Sequence, residues 1–264
     1  MEIAPGVHSV QLLGAHGHVF FEPQLTLIDA GLRGSGRLLK RYVEEHGRTL
    51  DDLTTIVCTH GHPDHAGGVR ELASERIDVL MHPADVAGLQ VDARGALRRP
   101  SRGRMFAAMT PTPDRASPLA DGDVLPVGGG LQVIHTPGHT PGSVCFYAQR
   151  DKLLFVGDVL QRRWSGEVIF ASSLYSDDVA AARASVQRLA GLDVEMIVFS
   201  HYPPLRDGAA DTLARLVRKS ASLDPAGTNF CGISWLLNVI GPRRGKELKS
   251  AVSSKPSSPP SRAR

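Results

Sequence analysis

Apolar residues come along this chain in short, β-branched bursts, and the bursts alternate with a few stretches of helical period. Strands are predicted at Val7–Leu13, Val19–Glu22, Leu25–Ile28, Thr55–Cys58 and Asp78–Met81. A second set follows at Val124–Val127, Leu131–His135, Ser143–Ala148, Leu153–Val156 and the run from Glu195 to His201. Helices are predicted near Gly36–His46, closed by Gly47 just past its end, near Ala84–Val91, over Asp177–Leu189 and over Ala209–Ser220. A shorter helical piece is expected at Val69–Ser74. In the Asp177–Leu189 segment Val179, Ala182, Val186 and Leu189 recur at i, i+3, i+7 and i+10 and make one apolar face. Strand runs alternating with helices, in two similar halves, point to an α/β sandwich.

Several of the strands end alike. Thr55-Ile56-Val57-Cys58 runs into Thr59-His60-Gly61-His62-Pro63-Asp64-His65, with three histidines and an aspartate in six positions. Imidazole and carboxylate are the ligands that zinc and related divalent cations take. For one histidine a solvated polar loop would be the better reading; for this density, directly after an apolar strand, it is not. Pro63 is expected to block helix through the cluster, and Gly61 to let the loop bend so that His60, His62, Asp64 and His65 converge. Such loops at the carboxyl ends of strands are where α/β proteins build sites. Downstream, the strand ending at His135 leads through a Pro/Gly-rich turn to His139. Lys152–Asp158 and Glu195–His201 are apolar strands closed by Asp158 and His201. Singly, an Asp after Gly is usually a turn former, and a histidine at a strand end is usually structural. Together they bring the set to seven ligands, enough for two metals that share one carboxylate.

The order His-x-His-x-Asp-His, Gly-His-Thr-x-Gly-Ser, Gly-Asp and a final His strongly resembles the metallo-β-lactamase-fold hydrolases, over roughly residues 5 to 220. The resemblance implies a four-layer αβ/βα sandwich with a dinuclear site at one edge. It assigns His60, His62 and His139 to the first metal, Asp64, His65 and His201 to the second, and Asp158 to the bridge. Asp29, in Leu25-Thr-Leu-Ile-Asp-Ala-Gly31, matches the family's early Asp, which supports the ligand histidines from behind; a turn residue before Gly31 is the alternative. The departures narrow the branch. Asp158 stands where the β-lactamases carry Cys, which points to glyoxalase II, lactonase and related hydrolases. His62 argues against the di-iron flavoproteins, which have Glu there. Val159–Trp164 lacks the Tyr of the acyl-homoserine lactonases, and Ser200-His201-Tyr202-Pro203 replaces the usual Gly-His-Gly.

Two divalent ions per chain are therefore expected, zinc first, with iron or manganese as alternatives, sharing a hydroxide that attacks a carbonyl or phosphorus. Asp64 and Asp158 are the carboxylates placed in the chemistry, and no Gly-x-Ser-x-Gly nucleophile elbow is present. Hydrolysis of a small ester, thioester or lactone leads. A phosphodiesterase or nuclease of the same fold, or a mononuclear iron persulfide dioxygenase, are the alternatives, ahead of a non-catalytic metal module.

Composition changes this picture little. At 264 residues and 42% hydrophobic content the chain is long enough for one substantial core. Three cysteines make no even disulfide framework, the first residues show no basic or apolar signal pattern, and the cytoplasm is the default location. Residues 1–223 read as the hydrolase domain and 224–264 as an extension. Arg94, Arg98, Arg99, Arg102, Arg104 and Arg115 crowd residues 94–115 against one acid, Asp114. That segment reads first as a solvated connection, and otherwise as a lid whose Arg98 and Arg99 meet an anionic small-molecule substrate. Phe230–Ile240 is apolar but short of the ~20 residues of a membrane span; docking on the body is favoured over contact with a membrane surface. The basic Ser/Pro-rich tail inflates the net charge of +3, so nucleic acid is not an expected partner.

Overall fold

The computed structural model describes residues 1–89, 110, 115–163 and 165–222. Arg98, Arg99, Met105, Phe106, Met109 and everything past residue 222, including the domain boundary and the Phe230–Ile240 segment, lie outside the described residues.

Seven strands form the first sheet in chain order: β1 (Glu2–Ala4), β2 (Val7–Gln11), β3 (His16–Phe20), β4 (Leu25–Ile28), β5 (Leu53–Val57), β6 (Asp78–Met81) and β7 (Ser117–Pro118). The first four pair antiparallel, and β4 to β7 run parallel. The second sheet has the spatial order β14 (Met196–Val198), β11 (Leu153–Phe155), β10 (Val144–Ala148), β9 (Leu131–His135) and β8 (Val124–Leu125). In it only β11 and β14 pair parallel. A ribbon of β12 (Leu160–Arg162) and β13 (Val168–Phe170) stands apart. The helices are α1 (Gly36–Glu45), α2 (Pro63–Ala66), α3 (Val69–Leu72), α4 (Pro83–Leu89), α5 (Val179–Ser185) and α6 (Ala209–Ser222).

Side-chain alternation within single strands sorts the core into three sheets of apolar contact. In β10, Val144, Phe146 and Ala148 face one layer while Cys145 and Tyr147 face another. Leu153 and Phe155 in β11, and Met196 and Val198 in β14, join the first of these, where they meet Phe20, Ile28 and Val57 from the other sheet. This is the layer between the sheets, and each large side chain buried there contributes about 1.5–3 kcal/mol. Outside the first sheet, Leu27, Ile56 and Cys58 pack against Leu39 and Val43 of α1 and Val69 of α3. Outside the second, Leu154, Val156 and Ile197 pack against Val186, Leu213 and Leu216. Three contact layers separate four layers of structure, helix–sheet–sheet–helix, as expected.

The differences from the expected elements have local causes. β3 begins three residues earlier than its apolar run, because His16 and His18 alternate with Gly17 and Val19; His18 is buried against the Phe155 ring at 5.1 Å. The Asp177–Leu189 helix starts later, with Asp178 as its cap, whose side chain accepts the Ala181 N–H, and tightens to 3₁₀ over Val186–Leu189. Pro63 does not block helix: it opens α2 at a position where its missing N–H costs nothing, and the turn it starts carries Asp64 and His65. Strands β1, β7, β12 and β13 are two or three residues long, too short for any period to register.

Candidate metal centre

Asp29, His60, Asp158 and His201 each follow the carboxyl end of a strand, β4, β5, β11 and β14, by one to three residues. The two parallel pairs, β4–β5 and β11–β14, come from different sheets, and their carboxyl ends meet at one edge of the sandwich. The turn after β9 brings His139 to the same edge. His60, His62, Asp64, His65, His139, Asp158 and His201 are all buried.

They form two groups around one carboxylate. His62 Nδ1 lies 3.1 Å from His60 Nε2 and 3.0 Å from His139 Nε2. Across the edge, His201 Nε2 lies 3.4 Å from both His65 Nε2 and Asp64 Oδ2. Asp158 stands between: Oδ2 is 3.6 Å from His139 Nε2, while Oδ1 is 3.1 Å from His201 Nε2 and 3.6 Å from His65 Nε2. In a tetrahedral zinc site with bonds of about 2.0–2.1 Å, neighbouring ligand nitrogens lie about 3.3 Å apart. Both groups have spacings of that size, and within each of the sets His60–His62–His139, Asp64–His65–His201 and His60–His65–Asp158 the ligand atoms lie within 4.8 Å of one another. The donor chemistry and the spacing fit divalent metal ions.

Charge separates the groups. Burial, then repulsion from neighbouring imidazoles, holds His60 well below its ordinary pKa and keeps it neutral. His139 is lowered to about 3 for the same reasons, with Asp158 opposing. His62 is lowered too, chiefly by burial, although Asp64 and Asp158 pull the other way. In the second group burial also opposes charge on His65, but Asp29, Asp64 and Asp158 outweigh it and raise the group to about 10. His201 is raised because Asp158 and Asp64 overcome its burial. Asp64 and Asp158 are lowered despite burial, by His65 and His201 and, for Asp158, also by His139.

The supporting shell is denser than the motifs suggest. Asp29 takes a left-handed backbone conformation (φ 59°), a small strain that such sites commonly hold. Its Oδ1 accepts the Thr59 N–H at 2.8 Å, and Oδ2 accepts the Thr59 hydroxyl at 2.7 Å and faces His65 Nδ1 at 2.8 Å. With Nδ1 bonded to this carboxylate, His65 turns Nε2 into the site. His139 Nδ1 meets the Ser176 hydroxyl at 3.2 Å, and His201 Nδ1 meets the Gly14 carbonyl at 3.1 Å. Asp85, Thr59, Ser176 and Thr110 belong to this shell and escaped the sequence reading. Asp85 offered one signal, a carboxylate in the first turn of a helix just past the carboxyl end of parallel strand β6. Arg98 and Arg99 lie outside the described residues, and none of the geometry bears on them.

Several known proteins are similar to this chain. A probable metallo-hydrolase, YflN, of Bacillus subtilis is 27% identical over 230 residues, covering 77% of this chain and 86% of that protein. The acyl-coenzyme A thioesterase MBLAC2 of Homo sapiens is 32% identical over 65% of this chain and 63% of its own. A hydroxyacylglutathione hydrolase of Cereibacter sphaeroides is 29% identical over 72% of this chain and 60% of its own. The chain spans 48% of a matching Aquifex aeolicus protein, so several of these relatives extend well beyond the aligned part. Among solved structures, the Thermus thermophilus metallo-beta-lactamase family protein TTHA1429 superposes with a TM-score of 0.65 at 23% identity, over 83% of this chain and 81% of that one. TTHA1623, in a di-iron-bound form, gives 0.58 at 28% identity, over 77% and 96%. A profile described as the metallo-beta-lactamase superfamily matches residues 22–201, which contain all seven clustered ligand candidates and Asp29. The chain belongs to the metallo-beta-lactamase superfamily.

Proposed function

We propose that the site holds two divalent metal ions, zinc in the first instance, and hydrolyses an acyl thioester or a related small ester or lactone. The observation that carries this is Asp158, whose two oxygens face two separate ligand groups, Oδ2 toward His139 and Oδ1 toward His65 and His201. His60, His62 and His139 would hold one ion, Asp64, His65 and His201 the other, with Asp158 between them. Such ions, when bound, polarise an acyl carbonyl and lower the pKa of water from ~15.7 to about 7. The chain's own part is to keep His60, His62 and His139 neutral, to have Asp29 Oδ2 accept the N–H of His65 Nδ1, and to exclude bulk water from all seven ligands. Asp64 Oδ2, 3.4 Å from His201 Nε2, is a ligand first and a proton acceptor second.

The thioester class is supported by the names of two relatives, an acyl-coenzyme A thioesterase and a hydroxyacylglutathione hydrolase, whose acyl groups ride on a thiol carrier. Both carriers are anionic, and Arg98 and Arg99 are the proposed contacts for that charge. The di-iron form of TTHA1623 keeps iron as the alternative metal. A cytoplasmic setting is part of the same proposal and rests on the two buried free thiols, Cys58 and Cys145. Among the described residues no helix is long and apolar enough to cross a membrane.

The test is elemental analysis of the purified protein together with a panel of acyl-coenzyme A, acylglutathione, lactone and phosphodiester substrates. Near two ions per chain and turnover of a thioester, ester or lactone is the expected result. Turnover of phosphodiesters alone would replace it with the nuclease reading, and a single iron with sulfite production with the oxygenase reading.

A further inference from the structure

Two buried carboxylates stand behind the ligands, and they hold different things. Asp29 grips an imidazole and a threonine, whereas Asp85, in α4 and 4% exposed, grips loops. Its Oδ2 accepts the Gly61 N–H at 2.8 Å and the Thr140 hydroxyl at 2.7 Å, and its Oδ1 accepts the Gly142 N–H at 2.6 Å. Gly61 separates His60 from His62, and Thr140 follows His139. One carboxylate thus ties together the two loops that supply the three neutral histidines.

The fit around it is close on every side. A Cβ on Gly142 would lie 2.7 Å from Asp85 Oδ1, so a glycine there is what lets the carboxylate reach the amide. The carbonyl of Gly61 is held from its other side by the Thr110 hydroxyl at 2.9 Å. Thr140 Oγ1 lies 2.7 Å from Ser143 Oγ, which also accepts the Thr140 N–H at 2.9 Å, closing the turn. A backbone bond from Val144 N–H to the Thr59 carbonyl, 2.8 Å, joins the same two loops outside the ligands. Asp85 is the link on the ligand side of it.

We propose that Asp85 is the positioning residue of the three-histidine group: it sets the separation of the His60–His62 loop from the His139 loop, and so the affinity of the first metal ion. Asp29 holds His65 directly, and through the Thr59 hydroxyl, 3.1 Å from His60 Nδ1, it also touches the first group. This rests on the reading that His60, His62 and His139 hold a metal. A carboxylate accepts at both oxygens and an amide at one. Asp85→Asn therefore sets an N–H₂ against the Gly142 amide or against the Gly61 amide, donor facing donor, and the loops part by the difference.

The experiment is a competition titration with Zn²⁺ alone against a chromophoric chelator, on the full chain stripped of metal, for wild type, Asp85→Asn and Asp29→Asn. Asp85→Asn is expected to weaken one of the two zinc ions by about 10–100-fold and leave the other, and Asp29→Asn to weaken chiefly the other. In a His62→Ala background Asp85→Asn should add no further loss, while in His201→Ala the loss should appear in full. A metal-free melting temperature lowered by only a few degrees in Asp85→Asn, about what one buried bond costs, separates positioning from a folding defect. If that variant folds poorly, Thr140→Val removes one bond to Oδ2 and should weaken the same ion by a smaller factor. Wild-type affinity at both ions in these variants, or an equal loss at both, overturns the proposal. A wild type that takes up no zinc defeats the reading of the site itself, a result distinct from a wild type and Asp85→Asn that bind zinc alike.

Discussion

The two ligand groups lie a few ångströms apart, yet burial has opposite consequences in them. Around His60, His62 and His139 it acts with imidazole–imidazole repulsion, and the rings are neutral, ready to ligate without giving up a proton. Around His65 and His201 it is overruled by Asp29, Asp64 and Asp158, which raise both rings above the ordinary imidazole value. Desolvation alone does not set the state of a buried histidine; a carboxylate bonded directly to the ring, as Asp29 is to His65 and Asp158 to His201, reverses it. The first group is preorganised for metal, and the second is held together as an ion-paired cluster in the metal-free chain.

The largest effect should come from breaking what the groups share. Asp158→Ala removes the carboxylate that faces both, and hydrolysis should fall about 10³-fold or more, because several kcal/mol of transition-state stabilisation depend on the paired site. Metal content should fall with it. A variant that keeps both ions and most of its rate would show that the groups work separately. Asp29→Asn is the one-sided version. It breaks up the bonds to Thr59 and His65, and turnover should fall about 10–100-fold through loss of the second ion. An equal loss of both ions would erase the distinction drawn between the groups.

Acidity sharpens it further. Because the folded pKa of His65 is raised from 6.5 to about 10, its charge stabilises the metal-free fold fully below pH 6.5, and that contribution is lost as the pH rises through about 10. Uptake of the second ion must expel that proton, so its affinity should rise about tenfold per pH unit for each proton released. The first ion, meeting neutral rings, should show a flat profile over the same range. Isothermal titration in buffers of different ionisation enthalpy counts the protons; equal release at the two ions would contradict the assignment. The smallest effect is expected from the arginine pair. Arg98→Ala with Arg99→Ala should raise KM for an anionic thioester several-fold and leave a neutral ester unaffected, and unchanged kinetics for both would remove these arginines from the substrate's path.

What the sequence showed of all this follows from where each signal is stored. The dense loop from His60 to His65 concentrates its chemistry in adjacent positions, and a reader of residues sees it at once. His139, Asp158 and His201 are each ambiguous alone and become legible through their shared place at strand ends. Asp85 was hard to see, because two of its three partners are the backbone amides of Gly61 and Gly142, which carry no side-chain signature and lie 24 and 57 residues away. Pro63 was read as a helix breaker when it is a helix starter, since the same missing N–H serves both roles and only the direction of the chain beyond it decides. The α/β sandwich was legible in strand runs alternating with helices, whereas its four layers were implied only by the family resemblance.

The most direct test of the two-ion claim is an anomalous-difference map from crystals of the zinc-loaded protein. Two peaks about 3.5–4 Å apart, one among His60, His62 and His139 and one among Asp64, His65 and His201, with an Asp158 oxygen toward each, is the predicted result. A single peak, with both Asp158 oxygens turned to one side, would contradict it.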